Sequence, residues 1–109
     1  MIRLAAGQQV AFRACRSKLA EMLEKTLKAE LIRLGWGLER THDLDRLLDE
    51  LVARQSDLIF TVEPLCDALA EAYFTDRYPG FDLDDPDWPA LHATLAEVEH
   101  LLATVKTRV

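Results

Sequence analysis

The sequence predicts an all-α protein, an antiparallel up-and-down bundle of about four helices forming a single domain over residues 1–109. Apolar residues recur at three- and four-residue steps along the chain, which is the period of an amphipathic helix, and no segment alternates as a strand does. Half of the 109 residues are apolar and 29% are charged, with only four glycines and four prolines. This composition is typical of a globular domain and excludes disordered and fibrous classes.

The first helix is predicted from about Gln8 to Leu34. A left-handed residue commonly ends a helix and glycine adopts that conformation best, so the segment Gly35-Trp36-Gly37 predicts the stop. The apolar stripe of this helix consists of Phe12, Cys15, Leu19, Met22, Leu23, Leu27, Leu31 and Leu34.

A second helix follows after a short connection. Thr41 is the predicted N-cap, and Asp43 and Asp45 lie in the first turn, where the helix dipole favours negative charge. The helix is expected to end near Gln55 or Ser56. Its apolar stripe consists of Leu44, Leu47, Leu48, Leu51 and Val52.

Two more helices complete the predicted bundle. The third begins around Thr61, with Pro64 in its first turn, and runs to about Arg77 before Pro79-Gly80 breaks it. Residues 81–88 are predicted to form an acidic loop. Asp87 then caps the last helix, whose apolar stripe consists of Leu91, Leu95, Val98, Leu102 and Val105.

The lengths of the first two helices predict self-association. At 1.5 Å per residue the first helix spans about 40 Å and the second only about 20 Å. A continuous first helix would then extend beyond its own bundle and leave Phe12, Cys15 and Leu19 uncovered. We therefore expect these residues to form the contact of a homodimer.

Charge is unevenly distributed along the chain. Residues 1–42 carry a net +4 and residues 43–109 a net −10, which together give the overall −6. The asymmetry indicates either a basic helix packed beside acidic ones or head-to-tail association of subunits. An acidic domain lacks the concentrated positive face that nucleic acid requires, so nucleic acid is not an expected partner.

The cysteines and the hydropathy pattern predict a cytoplasmic protein. Cys15 and Cys66 are far apart and form no CxxC pair, which fits a reducing compartment, and we expect both on apolar helix faces. No apolar run approaches the ~20 residues of a membrane span, and the first residues do not resemble a signal peptide.

Familiar catalytic and metal-binding patterns are missing from the sequence. His92 and His100 are eight residues apart with Ala96 between them, so they predict two surface histidines rather than a metal site. The acidic run at 82–87 lacks the glycine and the glutamate of a calcium loop. The sequence contains no glycine-rich phosphate loop and no GxSxG motif, so no catalytic residue and no cofactor are predicted.

Two short segments remain as candidates for ligand or partner contact. His42 stands before the second helix, and Arg77-Tyr78 stands where the third helix ends. The Arg77 guanidinium suits a phosphate or carboxylate, and Tyr78 can stack on a base or donate a hydrogen bond. The alternatives are that His42 only makes a hydrogen bond near the helix cap, and that Arg77 only forms an ion pair at the end of its helix.

Taken together, these features resemble the HEPN domain family of small helical proteins over roughly residues 6–106. The resemblance rests on the order and spacing of three segments: Leu23-Glu24-Lys25-Thr26-Leu27-Lys28-Ala29 running to Gly35, Thr41-His42-Asp43-Leu44 followed by Leu47-Leu48, and Arg77-Tyr78-Pro79. Members usually carry a full helix before the segment that matches Ala6-Gly7. Only five residues precede it here, so we expect either that this protein does without that helix or that its start is assigned too late in the gene.

The resemblance implies a function. Members commonly dimerise and often act beside a minimal nucleotidyltransferase encoded next door, in two-gene modules that include toxin–antitoxin pairs. Some bind nucleotides, so ATP or GTP is the expected ligand here, with Arg77, Tyr78 and His42 as its contacts. Others are metal-independent ribonucleases.

The ribonuclease branch of the family uses an arginine followed four to six residues later by a histidine. No arginine precedes His42, His92 or His100 at that distance. The resemblance therefore favours a non-catalytic interaction module. The alternatives are a ribonuclease toxin with a different site and a purely structural dimerisation domain.

Overall fold

Four α-helices form the protein, which confirms the predicted all-α bundle. The computed structural model describes residues 2–37, 39–77 and 87–108, with side chains for residues 10–37, 39–70 and 87–108. No strand occurs in these residues, and no helix among them is long and apolar enough to cross a membrane. The helices are α1 (Ile2–Arg33), α2 (Leu44–Ala53), α3 (Ile59–Arg77) and α4 (Trp88–Lys106).

Helix α1 is continuous over 32 residues and begins six residues before the predicted start. The helix ends at the position that Gly35 predicted. Gly35 adopts φ +94°, and the Trp36 N–H donates to the Leu31 carbonyl at 2.9 Å. The Trp36 ring is buried against the core. A left-handed residue followed by an apolar contact is a common way to end a helix.

The cap of α2 differs from the predicted one. Asp43 is the N-cap, and its carboxylate accepts hydrogen bonds from the backbone N–H groups of Asp45 at 3.0 Å and Arg46 at 3.4 Å. The Thr41 hydroxyl accepts from the Asp43 N–H instead, so it lies too early in the chain to cap the helix. Val52 is 51% exposed and does not belong to the buried stripe.

Helix α3 begins two residues before the predicted start. The buried Ser56 hydroxyl accepts from the Leu58 N–H at 3.1 Å and leads the chain into the helix. Pro64 is therefore the sixth helical residue and not part of the first turn. Because proline has no N–H, the Phe60 carbonyl lacks the hydrogen bond that residue 64 would otherwise donate.

Helix α4 is capped as predicted, since the Asp87 carboxylate accepts from the Ala90 N–H at 3.0 Å. Its buried face is rotated slightly from the predicted stripe. Leu101 is buried although the pattern omitted it, Leu102 is only half-buried, and Leu95 is 37% exposed. Leu95 thus lies at the edge of the core.

Contacts between the helices fix their directions. Phe12 meets Trp88 at one end of α1 and α4, and Glu30 meets Arg108 at the other, so α4 runs in the same direction as α1. Helices α2 and α3 are antiparallel, as are α3 and α4. Helix α2 runs in the same direction as α1, because His42 just before α2 contacts Glu24 in α1, whereas Asp57 just after α2 is joined through Arg108 to Glu30 near the end of α1. The antiparallel order predicted for consecutive helices thus holds for α2–α3 and α3–α4 but not for α1–α2.

A single leucine-rich core joins the four helices. Its fully buried members come from every helix: Leu23, Leu27, Leu31, Leu47, Leu51, Val62, Leu65, Val98 and Leu101. Close packing of this kind makes the helices a rigid scaffold for the surfaces between them.

A buried charge network closes one end of the bundle. The Glu30 carboxylate is fully buried and accepts hydrogen bonds from Arg33 and, at 3.4 Å, from Arg108. The Arg108 guanidinium also donates two hydrogen bonds, of 2.8 and 2.6 Å, to the carboxylate of Asp57, which precedes α3. These bonds from Arg108 lower the pKa of Asp57 below its ordinary value. The network ties the end of α4 to α1 and to the α2–α3 connection.

Candidate functional site

An apolar groove runs between the middle of α1 and the first half of α4. We call it the α1–α4 groove; it has a volume of about 350 Å³. Trp88, Leu91 and Leu95 form its α4 wall, while Leu19 and Met22 form its floor on α1. The polar groups at its rim include Lys18 and His92. An apolar concave surface of this size, bordered by a few polar groups, is suited to receive another molecule.

The three residues predicted to form a dimer contact all belong to this region, in different roles. Leu19 is only 3% exposed, because its own bundle covers it, and so the reason for expecting it to need an external cover does not hold. Phe12 is half-buried against Trp88. Cys15 is exposed and lines the groove.

A smaller apolar groove of about 230 Å³ continues along the same two helices. Met22 borders both grooves, and Ala29, Leu102 and Val105 line the second one. Lys25 and Lys106 stand at its edges. The seam between α1 and α4 therefore presents apolar surface along much of its length.

His42 is held by a carboxylate from α1. Its Nδ1 lies 2.7 Å from Oε1 of Glu24, whose side chain is only 8% exposed. The other oxygen of Glu24 accepts from Lys28 Nζ at 3.3 Å. An ionised carboxylate can only accept, so Nδ1 carries the proton in this pair. The imidazole, 66% exposed, has its orientation set by a group 18 residues away.

Arg77, the second candidate for ligand contact, lies elsewhere along the bundle. Arg77 is the last residue of α3, eleven residues and about 16 Å beyond Cys66. Cys66 itself lies beside Leu44, close to His42 in the chain. The structure thus does not bring the backbone of Arg77 to His42. Tyr78 and the predicted breaker and acidic loop over residues 79–86 lie outside the described residues.

Cys66 is a core residue rather than a nucleophile. It is fully buried, with its Sγ 3.7 Å from the Leu44 carbonyl oxygen. Burial, reinforced by nearby aspartates, raises the pKa of its thiol to about 12. A thiol with so high a pKa stays protonated at neutral pH and does not attack an electrophile.

Sequence reasoning missed two features of this region. Trp88 follows the predicted cap Asp87 directly, and an aromatic residue at the first position of a helix is a signal of packing against a neighbour. Glu24 lies between Leu23 and Leu27, and a carboxylate within an apolar stripe is a signal that it has a partner.

The arrangement of four helices around one leucine-rich core is that of an all-α helical-bundle domain. The family model of the HEPN domain matches residues 6–107, nearly the whole chain. The protein therefore belongs to the HEPN domain family. Neither the curated proteins nor the solved structures yield a match to this chain.

Proposed function

We propose that this HEPN domain is a non-catalytic interaction module. It forms a homodimer, acts with a minimal nucleotidyltransferase encoded beside it in a two-gene system of the toxin–antitoxin type, and binds a nucleotide. The observation that carries the proposal is the apolar seam between α1 and α4, which the described residues leave open.

The homodimer uses the α1–α4 groove. A two-fold interface brings the same patch of both subunits together. An apolar patch that has both a groove and a protruding side chain can therefore be buried against its copy on the other subunit. Leu95 is the leucine of the groove most open to solvent, and Phe12 and Cys15 on α1 complete the apolar surface of this region. Lys18 and His92 supply the polar rim that interfaces usually have.

We propose two separate contacts for a nucleotide, one at His42 and one at Arg77 and Tyr78, because the backbone of Arg77 lies away from His42 along α3. Of these three residues, His42 is the one whose surroundings support nucleotide binding. Glu24 orients its exposed imidazole, and Lys28 adds a cation within the same cluster. An oriented imidazole can donate to a phosphate or to a ribose hydroxyl. Arg77 supplies a guanidinium for phosphate and Tyr78 a ring for the base.

A second candidate function is RNA cleavage, favoured by the pairing of His42 with Glu24. A carboxylate that fixes an imidazole is a common arrangement for general acid–base catalysis. Against it stands the lack of the arginine–histidine spacing that the ribonuclease branch of the family uses. Induction of the chain in growing cells separates the two functions. Growth arrest that His42→Ala relieves supports a ribonuclease, whereas unimpaired growth supports the non-catalytic module.

Co-expression tests the partnership. The tagged chain and the nucleotidyltransferase encoded beside it are produced together and purified on the tag. Recovery of both proteins in a fixed ratio supports the proposal, whereas recovery of the tagged chain alone contradicts it. Calorimetric titration with ATP and GTP tests the nucleotide site, and we expect His42→Ala to weaken binding about tenfold or more.

A further inference from the structure

A second groove lies between α3 and α4, on a face of the bundle that the proposed dimer does not use. We call it the α3–α4 groove; it has a volume of about 470 Å³ and is lined by Phe60, Thr61, Pro64, Ala96, Glu97 and His100. It is shallow and open along the two antiparallel helices. An open groove between antiparallel helices can receive a third helix.

Phe60 is the most exposed large apolar side chain among the described residues. It is 90% exposed, against 67% for Val10, the next most exposed of these residues. Together with Pro64 and Ala96 it forms an apolar patch that water covers in the isolated chain. Exposed aromatic groups beside a groove are typical anchors of protein interfaces.

Negative charge borders this patch. Glu63 and Asp67 follow Phe60 at helical spacings of three and seven, which places them on the same side of α3. Glu97 lines the groove from α4. All three side chains are exposed, and among the described residues none of them forms an ion pair. These three carboxylates are therefore available to form ion pairs with basic side chains of a partner.

The backbone adds an acceptor to the same surface. Pro64 cannot donate a hydrogen bond, so the Phe60 carbonyl lacks its usual helical donor at the point where both residues line the groove. Carboxylates and a carbonyl are acceptors, and their natural partners are lysine and arginine side chains. We propose that the α3–α4 groove binds a basic amphipathic helix of a partner protein, whose apolar face covers Phe60 and whose lysines or arginines meet Glu63, Asp67 and Glu97.

This assignment does not depend on which protein supplies the helix. A synthetic peptide of about 18 residues, with a leucine face flanked by lysines, is the probe, and fluorescence anisotropy with the full chain is the measurement. We expect saturable binding that weakens about tenfold or more between about 50 and 300 mM salt, because exposed charges are screened. The same leucine face flanked by glutamates should bind at least about tenfold more weakly.

Matched variants locate the site. Phe60→Asp should weaken binding of the lysine peptide about tenfold or more, whereas Val52→Asp, an exposed apolar residue on α2, should change it less than about twofold. Glu63→Lys with Asp67→Lys tests the charges separately and should weaken binding by a similar factor. Circular dichroism establishes that each variant folds.

Three results would overturn the proposal. The wild-type chain could fail to bind the lysine peptide, Phe60→Asp could bind it as tightly as Val52→Asp does, or the glutamate peptide could bind equally well. A change of oligomeric state in Phe60→Asp alone would assign the groove to contact between copies of this chain instead. None of these results depends on the nucleotidyltransferase or on the α1–α4 groove.

Discussion

The Phe12 ring on α1 meets the Trp88 ring at the start of α4 edge to face, with their centroids 5.3 Å apart and their planes at 89°. This contact lies 18 residues from the Glu30–Arg108 contact along α1, so α4 is anchored to α1 at both ends. From Phe12 onward α1 therefore does not extend freely beyond the bundle, although the helix lengths had indicated that Phe12 and Leu19 would lie outside it. Its apolar surface is partly covered, and what stays open is the α1–α4 groove.

Truncating Phe12 tests this anchor. Phe12→Ala removes a half-buried ring and its aromatic contact, and we expect it to lower the free energy of unfolding by about 2 kcal/mol. Val10→Ala is the control, because Val10 lies two residues away and is 67% exposed. Urea unfolding at one fixed protein concentration measures both. Equal effects of the two substitutions would mean that Phe12 does not hold α4.

The buried carboxylate of Glu30 gives a second prediction. Glu30→Gln keeps the shape of the side chain but removes the charge that Arg33 and Arg108 share, and we expect a loss of about 2 kcal/mol in unfolding free energy. Glu21→Gln is the control, because its pair with Lys18 is exposed on both sides; it should cost less than about 0.5 kcal/mol. Similar losses in both variants would contradict a structural role for the network.

The pair of Asp57 with Arg108 predicts a dependence of stability on pH. Arg108 lowers the pKa of Asp57 in the folded protein, so folding favours the ionised carboxylate. The resulting stability is present above about pH 4, the ordinary pKa of aspartate, and is lost as the pH falls through the lower folded pKa. The stability difference between wild type and Asp57→Asn should thus be constant from about pH 5 to 7 and shrink below about pH 4.

The Arg108→Ala variant tests whether Arg108 causes the pH dependence of stability at Asp57. Without the guanidinium, the carboxylate of Asp57 loses the partner that lowers its pKa, so Asp57→Asn should have a much weaker pH-dependent effect in that background. Urea unfolding of wild type, the two single variants and the double variant at several pH values gives all four free energies. An unchanged pH dependence in the Arg108→Ala background would show that another group is responsible.

Two neighbouring residues, Thr41 and Asp43, are candidates for the N-cap of α2, and substitutions distinguish between them. Asp43→Ala removes the carboxylate that accepts from two backbone N–H groups and should cost about 1 kcal/mol. Thr41→Ala removes only a bond to the Asp43 N–H and should cost clearly less. Thermal unfolding followed by circular dichroism ranks the two variants. The reverse order would restore Thr41 as the cap.

The sequence predicts local features of this fold well, because their causes are local. The period of the leucines predicts the helices, Gly35 predicts the end of α1, and Asp87 predicts the cap of α4. The position of Leu95 at the edge of the core and the burial of Leu19 depend on how α1 and α4 pack, which no local pattern contains. The shift from Thr41 to Asp43 reflects competition between two capping residues only two positions apart.

The candidate site was predictable only in part. The residues Phe12, Cys15 and Leu19 lie on the stretch of α1 beside the groove, but the opposite wall of the groove comes from α4, about 70 residues later. The pairing of His42 with Glu24 likewise joins residues 18 apart across a turn of the chain. Such contacts arise from tertiary packing, so the sequence can signal that Glu24 and Trp88 have partners but does not identify those partners.

Sedimentation velocity tests the central claim most directly, since a homodimer through the α1–α4 groove makes a prediction about mass. Wild type and Val52→Asp, which changes an exposed residue outside this groove, should sediment as dimers from about 5 to about 200 μM. Leu95→Asp places a charge in the groove at a half-exposed position and should sediment as a folded monomer. A monomeric wild type, or a Leu95→Asp variant that stays dimeric, would contradict the account.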